Sequence, residues 1–172
     1  VGLIVKFDGA DWRDGLGRSW NAAVRFALPD KDVFTIDALA DPPVEIGAAS
    51  GVGTILYGMI VHPQTGDVYV TNTEARNEIR FEGPGTPGST TVRGHLHEAR
   101  ISIVHPDGSV APRHLNPHID YDVVPSPPGV KERSLATPTA MAITADGAEL
   151  YVAAFGSSAV AVLDTAALAA GT

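Results

Sequence analysis

Met59-Ile60-Val61-His62-Pro63-Gln64-Thr65-Gly66-Asp67-Val68-Tyr69-Val70-Thr71-Asn72 reads as a strand, a tight turn and a second strand. The stretch recurs. Moved along by 82 positions, it falls without a gap on Met141-Ala142-Ile143-Thr144-Ala145-Asp146-Gly147-Ala148-Glu149-Leu150-Tyr151-Val152-Ala153-Ala154, with Met59 on Met141, Tyr69 on Tyr151 and Val70 on Val152. A β-hairpin repeated at long period marks an array fold, because one such unit cannot bury its apolar face alone.

A further strand repeats as well. Asp32-Val33-Phe34-Thr35-Ile36-Asp37, Asn77-Glu78-Ile79-Arg80-Phe81-Glu82 and Ala159-Val160-Ala161-Val162-Leu163-Asp164 align with one another, Val33 to Glu78 being 45 positions and Glu78 to Val160 being 82. The first interval is close to the ~40–45 residues of one four-stranded propeller blade. The middle copy alternates apolar with polar side chains, as a half-buried strand does. The expected fold is all-β: a β-propeller of four-stranded antiparallel blades, of which the chain covers about two to three, with a long insertion. Residues 1–54 are expected to end one blade with a loop insertion. Residues 55–137 make an enlarged blade with an inserted hairpin and a Pro-rich loop, and 138–172 start a further blade.

Around these repeats the signals are local. Leu3 to Phe7 is a short β-rich run closed by Asp8-Gly9, and 11–21 reads as a long loop holding Trp12 and Trp20, with Ala22 to Leu28 returning as a strand. Arg100 to Val104 is a strand followed by the turn His105-Pro106-Asp107-Gly108, read as the inserted hairpin. Gly83 to Ser89 is an exposed connection. Prolines 112, 117, 125, 127 and 128 argue against helix and central strand from Ala111 to Arg133, and Thr165 to Ala170 makes one helical turn at most.

Composition narrows the function. At 172 residues the chain is long enough for a core, with 44% apolar and 19% charged residues. A net charge of −8 with twelve scattered Lys and Arg disfavours a nucleic-acid partner, whose phosphates it would repel. No apolar run approaches the ~20 residues of a spanning helix. Cysteine is absent, which excludes disulfides, thiolate nucleophiles, iron–sulfur clusters and covalent c-type haem within this segment. The chain opens in strand-like sequence without an initiator Met, as a piece of a longer polypeptide would.

Two histidine clusters carry the candidate chemistry. In Gly94-His95-Leu96-His97-Glu98, His95 and His97 stand two apart; on a strand they share a face and could hold one metal, with Glu98 on the other face. His114, His118 and Asp120 form the second set, in which a loop would fold the two imidazoles together and Asp120 would serve as third ligand or as the acceptor that fixes a tautomer. Each also reads as a polar loop that satisfies its own backbone. Asn72, Glu74, Arg76 and Asn77, in a connection between strands, are candidates for a binding surface. Ser50 to Thr54 lacks the spacing of a phosphate loop, and no nucleophile elbow, zincin or calcium-loop pattern is present.

Tyr69-Val70-Thr71-Asn72 is, letter for letter, the motif for which the YVTN family of β-propeller repeats is named. Tyr151-Val152-Ala153-Ala154 is a looser copy, and Val160 to Asp164 resembles the strand that follows it in that family. The resemblance covers mainly 32–82 and 138–165. It implies four-stranded blades in an extracytoplasmic protein, periplasmic or at the cell surface, of a kind sometimes linked to haem peroxidase-like domains. The motif is structural and transfers no catalytic residue. Two functions therefore fit. One is a binding scaffold that is not autonomously catalytic, its partner a protein or the remaining blades of the same propeller. The other is the propeller part of a periplasmic redox protein, with the His-rich insertion near its active face.

Overall fold

A computed structural model describes residues 5–25, 30–76, 95–123 and 125–171. Eleven strands and two short helices are found among them: β1 (Val5–Phe7), β2 (Trp12–Asp14), β3 (Val33–Asp37), β4 (Val44–Ala49), β5 (Ile55–Val61), β6 (Val68–Ala75), β7 (His97–Val104), β8 (Val110–His114), α1 (Val130–Arg133), β9 (Pro138–Ile143), β10 (Glu149–Ala154), β11 (Ala159–Asp164) and α2 (Thr165–Ala170). All pairings are antiparallel. β5-β6-β7-β8 form a complete four-stranded meander, β9-β10-β11 a three-stranded one, and β3-β4 and β1-β2 are two-stranded. The fold is that of β-propeller blades.

The repeated hairpins are equivalent strand for strand. Ile60 pairs with Tyr69 and Met59 with Val70, while Ala142 pairs with Tyr151 and Met141 with Val152. The third strands depart from expectation. β6 pairs along its whole length with β7, Val70 opposite Ser102. Arg100 to Val104 is therefore the third strand of its blade rather than an inserted hairpin, and β8 is the fourth. The expected third strand at 77–82 lies outside the described residues, as do Asn77, Gly94 and the Gly83–Ser89 connection. Val70 to Ser102 spans 32 positions, whereas Val152 to Ala161, the same step in the other blade, spans 9. The enlargement thus sits between β6 and β7.

Smaller differences have local causes. β8 contains Pro112 and is still a strand, because it is the outermost of its sheet and needs no amide on its free side. α1 makes one turn at Val130–Arg133, just beyond Pro128. α2 runs six residues, capped by the Asp164 carboxylate on the Ala167 amide and by Arg113, whose guanidinium donates to the Leu168 and Ala169 carbonyls. β2 occupies part of the expected loop at 11–21, and residues 22–25 are turn and irregular rather than strand.

Two apolar cores lie on opposite faces of the β5–β8 blade. On one, Tyr69, Ile101 and Ile103 pack with Leu150 and Val152 of the next sheet. On the other, Val70 and Val104 pack with Ala49 and Val52. β6 is consequently buried on both faces from Tyr69 through Thr73, and each fully buried large apolar side chain stabilises by roughly 1.5–3 kcal/mol.

Polar bonds cross the same interfaces. Thr71 Oγ1 donates to the Thr139 carbonyl at 2.5 Å, where the strands approach so closely that a Cβ on Gly58 would stand 2.7 Å from that oxygen. Ser102 Oγ donates to the Val52 carbonyl at 2.6 Å. His62 is buried edge-on to Tyr69, accepts the Gln64 and Thr65 amides at Nδ1, and reaches the Gly147 carbonyl at 3.1 Å through Nε2.

Candidate functional site

The antiparallel order puts the β5–β6, β7–β8 and β9–β10 turns at one end of the blades and the long connections at the other. At the long-connection end, β6, β7 and β8 present one continuous polar face. Pairing sets Asn72 beside Arg100, Glu74 beside Glu98 and Arg100 beside His114. Two carboxylates opposite each other repel unless cations intervene. Arg100 supplies one, with Nη2 3.0 Å from Glu74 Oε2.

The second cation is Arg76, at the end of β6. Its Nη1 donates to His95 Nδ1 at 2.9 Å. A guanidinium has only donors, so neutral His95 carries its proton on Nε2. That nitrogen is 3.3 Å from Glu98 Oε1 and is buried without hydrogen-bond alignment, a Coulombic contact rather than a bond. The ring is stacked on Tyr121, centroids 3.5 Å apart and planes within 3°. Burial first, and the Arg76 charge second, hold His95 below its usual range against the pull of Glu98. Burial does the same to His114, whose Nε2 also lacks a partner. Tyr121 is pushed up, by burial first and then by the Glu98 charge. The rim thus brings together two imidazoles held neutral, a protonated phenol, the Arg100 guanidinium paired with Glu74 and the Arg76 guanidinium on His95.

The structure sorts the expected site residues. His95 and His97 share no face, because the strand begins only at His97: His97 is exposed, and His95 turns back to Glu98. His118 Nε2 lies 3.2 Å from the Ser134 hydroxyl and 3.4 Å from the Val130 carbonyl. Asp120 accepts the Asp122 amide and so holds its own turn. Among the described residues no group of three or more His, Asp and Glu side chains is placed to hold a metal. A metal on His95 would also need the other ring nitrogen to donate to an acceptor, and Arg76 offers none. Asn72 is no surface residue. It is fully buried, and its Nδ2 donates to the Val70 carbonyl and Ser102 Oγ. Glu74 and Arg76 do stand at the rim. His105, at the opposite end, pairs through Nδ1 with Asp67 at 2.8 Å.

Arg100 and Tyr121 were not singled out from the sequence. For Arg100 a signal exists: Glu98, Arg100 and Ser102 alternate along one strand and must share a face. Tyr121 sits in an irregular Pro-rich loop, where no periodicity places a side chain.

Fold and site together define a segment of β-propeller blades with one enlarged rim. No protein-family model and no curated protein matches the chain, so the YVTN likeness rests on the residues quoted above. Among solved structures the chain resembles Kuenenia stuttgartiensis hydrazine synthase, with a TM-score of 0.52 and 18% identity over 74% of this chain. At that identity the likeness speaks for the fold alone. The chain spans 33% of the length of the hydrazine synthase chain it matches.

Proposed function

We propose that this segment is an extracytoplasmic binding scaffold, and that the rim built by Arg76, His95, Glu98 and Tyr121 is its contact surface. One observation carries this reading. A charged and aromatic cluster drawn from the two ends of the β6–β7 connection, from β7 and from the 115–137 loop is assembled on the enlarged blade, whereas the plain blade passes from β10 to β11 through a 3-10 turn at Phe155–Ser157. Extra connection of this kind in a repeat fold gathers on one face and commonly serves binding.

A photo-crosslinking residue at position 121 tests it, with one at Leu39, 97% exposed and remote from the rim, as control. Exposed to the extracytoplasmic fraction of the source cells, position 121 should give discrete adducts that Arg76→Ala weakens and that Leu39 does not give. Equal labelling from both positions would refute a dedicated rim.

The second reading, a propeller attached to periplasmic redox machinery, draws on the likeness to hydrazine synthase. It predicts that the adduct at position 121 is a cofactor-bearing domain. This chain has no cysteine with which to hold c-type haem covalently.

A further inference from the structure

One ring of the rim has groups of opposite charge on its two nitrogens. His95 accepts from Arg76 Nη1 at Nδ1, 2.9 Å away, and turns Nε2 toward Glu98 Oε1 at 3.3 Å. Its side chain is only 11% exposed, and Tyr121 is stacked on the ring. The Nδ1 lone pair is thus taken by Arg76 and Nε2 carries the ring proton, which leaves neither nitrogen free for a metal.

The charged and titratable groups facing the ring come from every element around it: Arg76 from the end of β6, Glu98 from β7, His114 from β8 and Tyr121 from the loop after β8. Beyond them Arg100 and Glu74 are paired with each other. Arg76 differs from Arg100. Among the described residues it has no carboxylate partner, and the imidazole alone holds its guanidinium.

This arrangement suits one protonation state only. An added proton goes to Nδ1, the one ring nitrogen with a lone pair. There it meets a group that can only donate, with two positive charges 2.9 Å apart in a site largely shielded from water. At the same moment Nε2–H gains charge, and its contact with Glu98 strengthens toward a charge-assisted bond. The stack on Tyr121 persists, since a cation over an aromatic face is attracted to it. The Arg76 backbone stays as well, its amide bonded to the Leu96 carbonyl at 3.0 Å. Only the Arg76 side chain is left to move.

We propose that His95 is a proton-operated latch on Arg76: neutral, it holds the guanidinium, and protonated, it releases Arg76 and closes on Glu98. Burial first and the Arg76 charge second oppose uptake of the proton and outweigh the pull of Glu98, so release comes below the ordinary imidazole value of ~6.5. Acid then gives the rim a free guanidinium that it lacks at neutrality. The latch rests on the internal bonds of the rim and not on its being a contact surface. It is read on the chain alone, and its failure leaves the contact-surface reading standing.

Nitrogen-15 NMR of the 172-residue chain tests it, through the His95 ring and the Arg76 guanidinium. At neutral pH the ring proton should sit on Nε2, and the guanidinium should exchange slowly with water. Through the His95 titration Nδ1 should gain a proton and Arg76 should lose its protection at the same midpoint, with circular dichroism unchanged. Glu98→Gln should move that midpoint further down and Arg76→Gln should move it up. His95→Gln is the control, because its amide offers Arg76 an oxygen and Glu98 an N–H at every pH; there Arg76 should stay held across the same range. A neutral ring with its proton on Nδ1 overturns the proposal. So do Arg76 signals that pass unchanged through the His95 titration, release that comes only with unfolding, or release that persists in His95→Gln. If His95→Gln does not fold, Glu98→Gln decides: release that fails to follow the His95 midpoint downward overturns the latch.

Discussion

The β5–β8 and β9–β11 sheets begin with the same hairpin and differ in what surrounds it. Tyr69 is sealed between blades, while Tyr151 faces outward and donates its hydroxyl to Glu149 at 2.8 Å. One sheet leaves its second strand by a long connection with a charged rim, the other by a single tight turn. The repeat dictates register and turn position in both; the neighbour on each face decides what a given side chain contributes.

The sharpest way to break that comparison is to truncate the two tyrosines. Tyr69→Ala should cost about 3–5 kcal/mol, as large-to-small changes in a packed core do. Tyr151→Ala should cost about 1 kcal/mol or less, as on a surface. Urea unfolding of both variants gives the numbers, and equal losses would mean that the two blades are equally covered.

Glycines of the turns give the next largest effect. A Cβ on Gly147 would stand 2.6 Å from the His62 ring, and its φ is +77°. Gly108, at φ +85°, has nothing within 4 Å. Gly147→Ala therefore combines backbone strain with overpacking, about 2–4 kcal/mol, against about 1–2 kcal/mol for Gly108→Ala. Thermal melts that rank them the other way would show that the His62 contact adjusts freely.

Thr71→Val comes third. It leaves the half-buried Thr139 carbonyl without that hydroxyl, and the Gly58 amide without its acceptor, and should cost about 1–3 kcal/mol. The repeat counterpart is Ala153, which has no hydroxyl, so Ala153→Thr should gain nothing in the same denaturant series.

The smallest effect is a pH slope. Desolvation raises the Asp67 carboxyl, but hydrogen bonds from Thr65 and His105 outweigh it and hold the folded value below the usual range. A depressed folded value contributes stability above the unfolded value, ~3.9, and that contribution is lost as pH falls through the folded value. Asp67→Asn should lower the melting temperature near neutrality and flatten its decline in acid. An unchanged slope would remove Asp67 from the account.

The hairpins were legible because residues that pair across a short turn lie close in sequence, and an 82-residue repeat displays them twice. β7 was not. Residues 78–82 alternate as well as 97–104 do, and which of them pairs with β6 depends on a long connection that periodicity does not constrain. Chemistry was legible at His95 and Glu98, whose side chains belong to the rim. Their geometry was not, since a face shared by His95 and His97 presumes a strand that starts two residues earlier. Asn72 was read as surface because a polar run follows it; its burial comes from Ser102 and the Gly53 backbone, which stands so near that a Cβ there would meet the Asn72 side chain at 2.4 Å.

The bonds from Thr71, Ser102 and His62 to backbone carbonyls beyond their own strands have a mechanical consequence. Apolar faces alone tolerate sliding, because their attraction has no direction. A slip by one residue along a strand would instead strand these buried groups together, at about 1–3 kcal/mol each. Shear between neighbouring blades is therefore stepped and costly, like a bolted plate rather than a greased one. A partner docking as proposed on the rim would meet a stiff floor, and whatever adjustment its docking requires would fall to the loops.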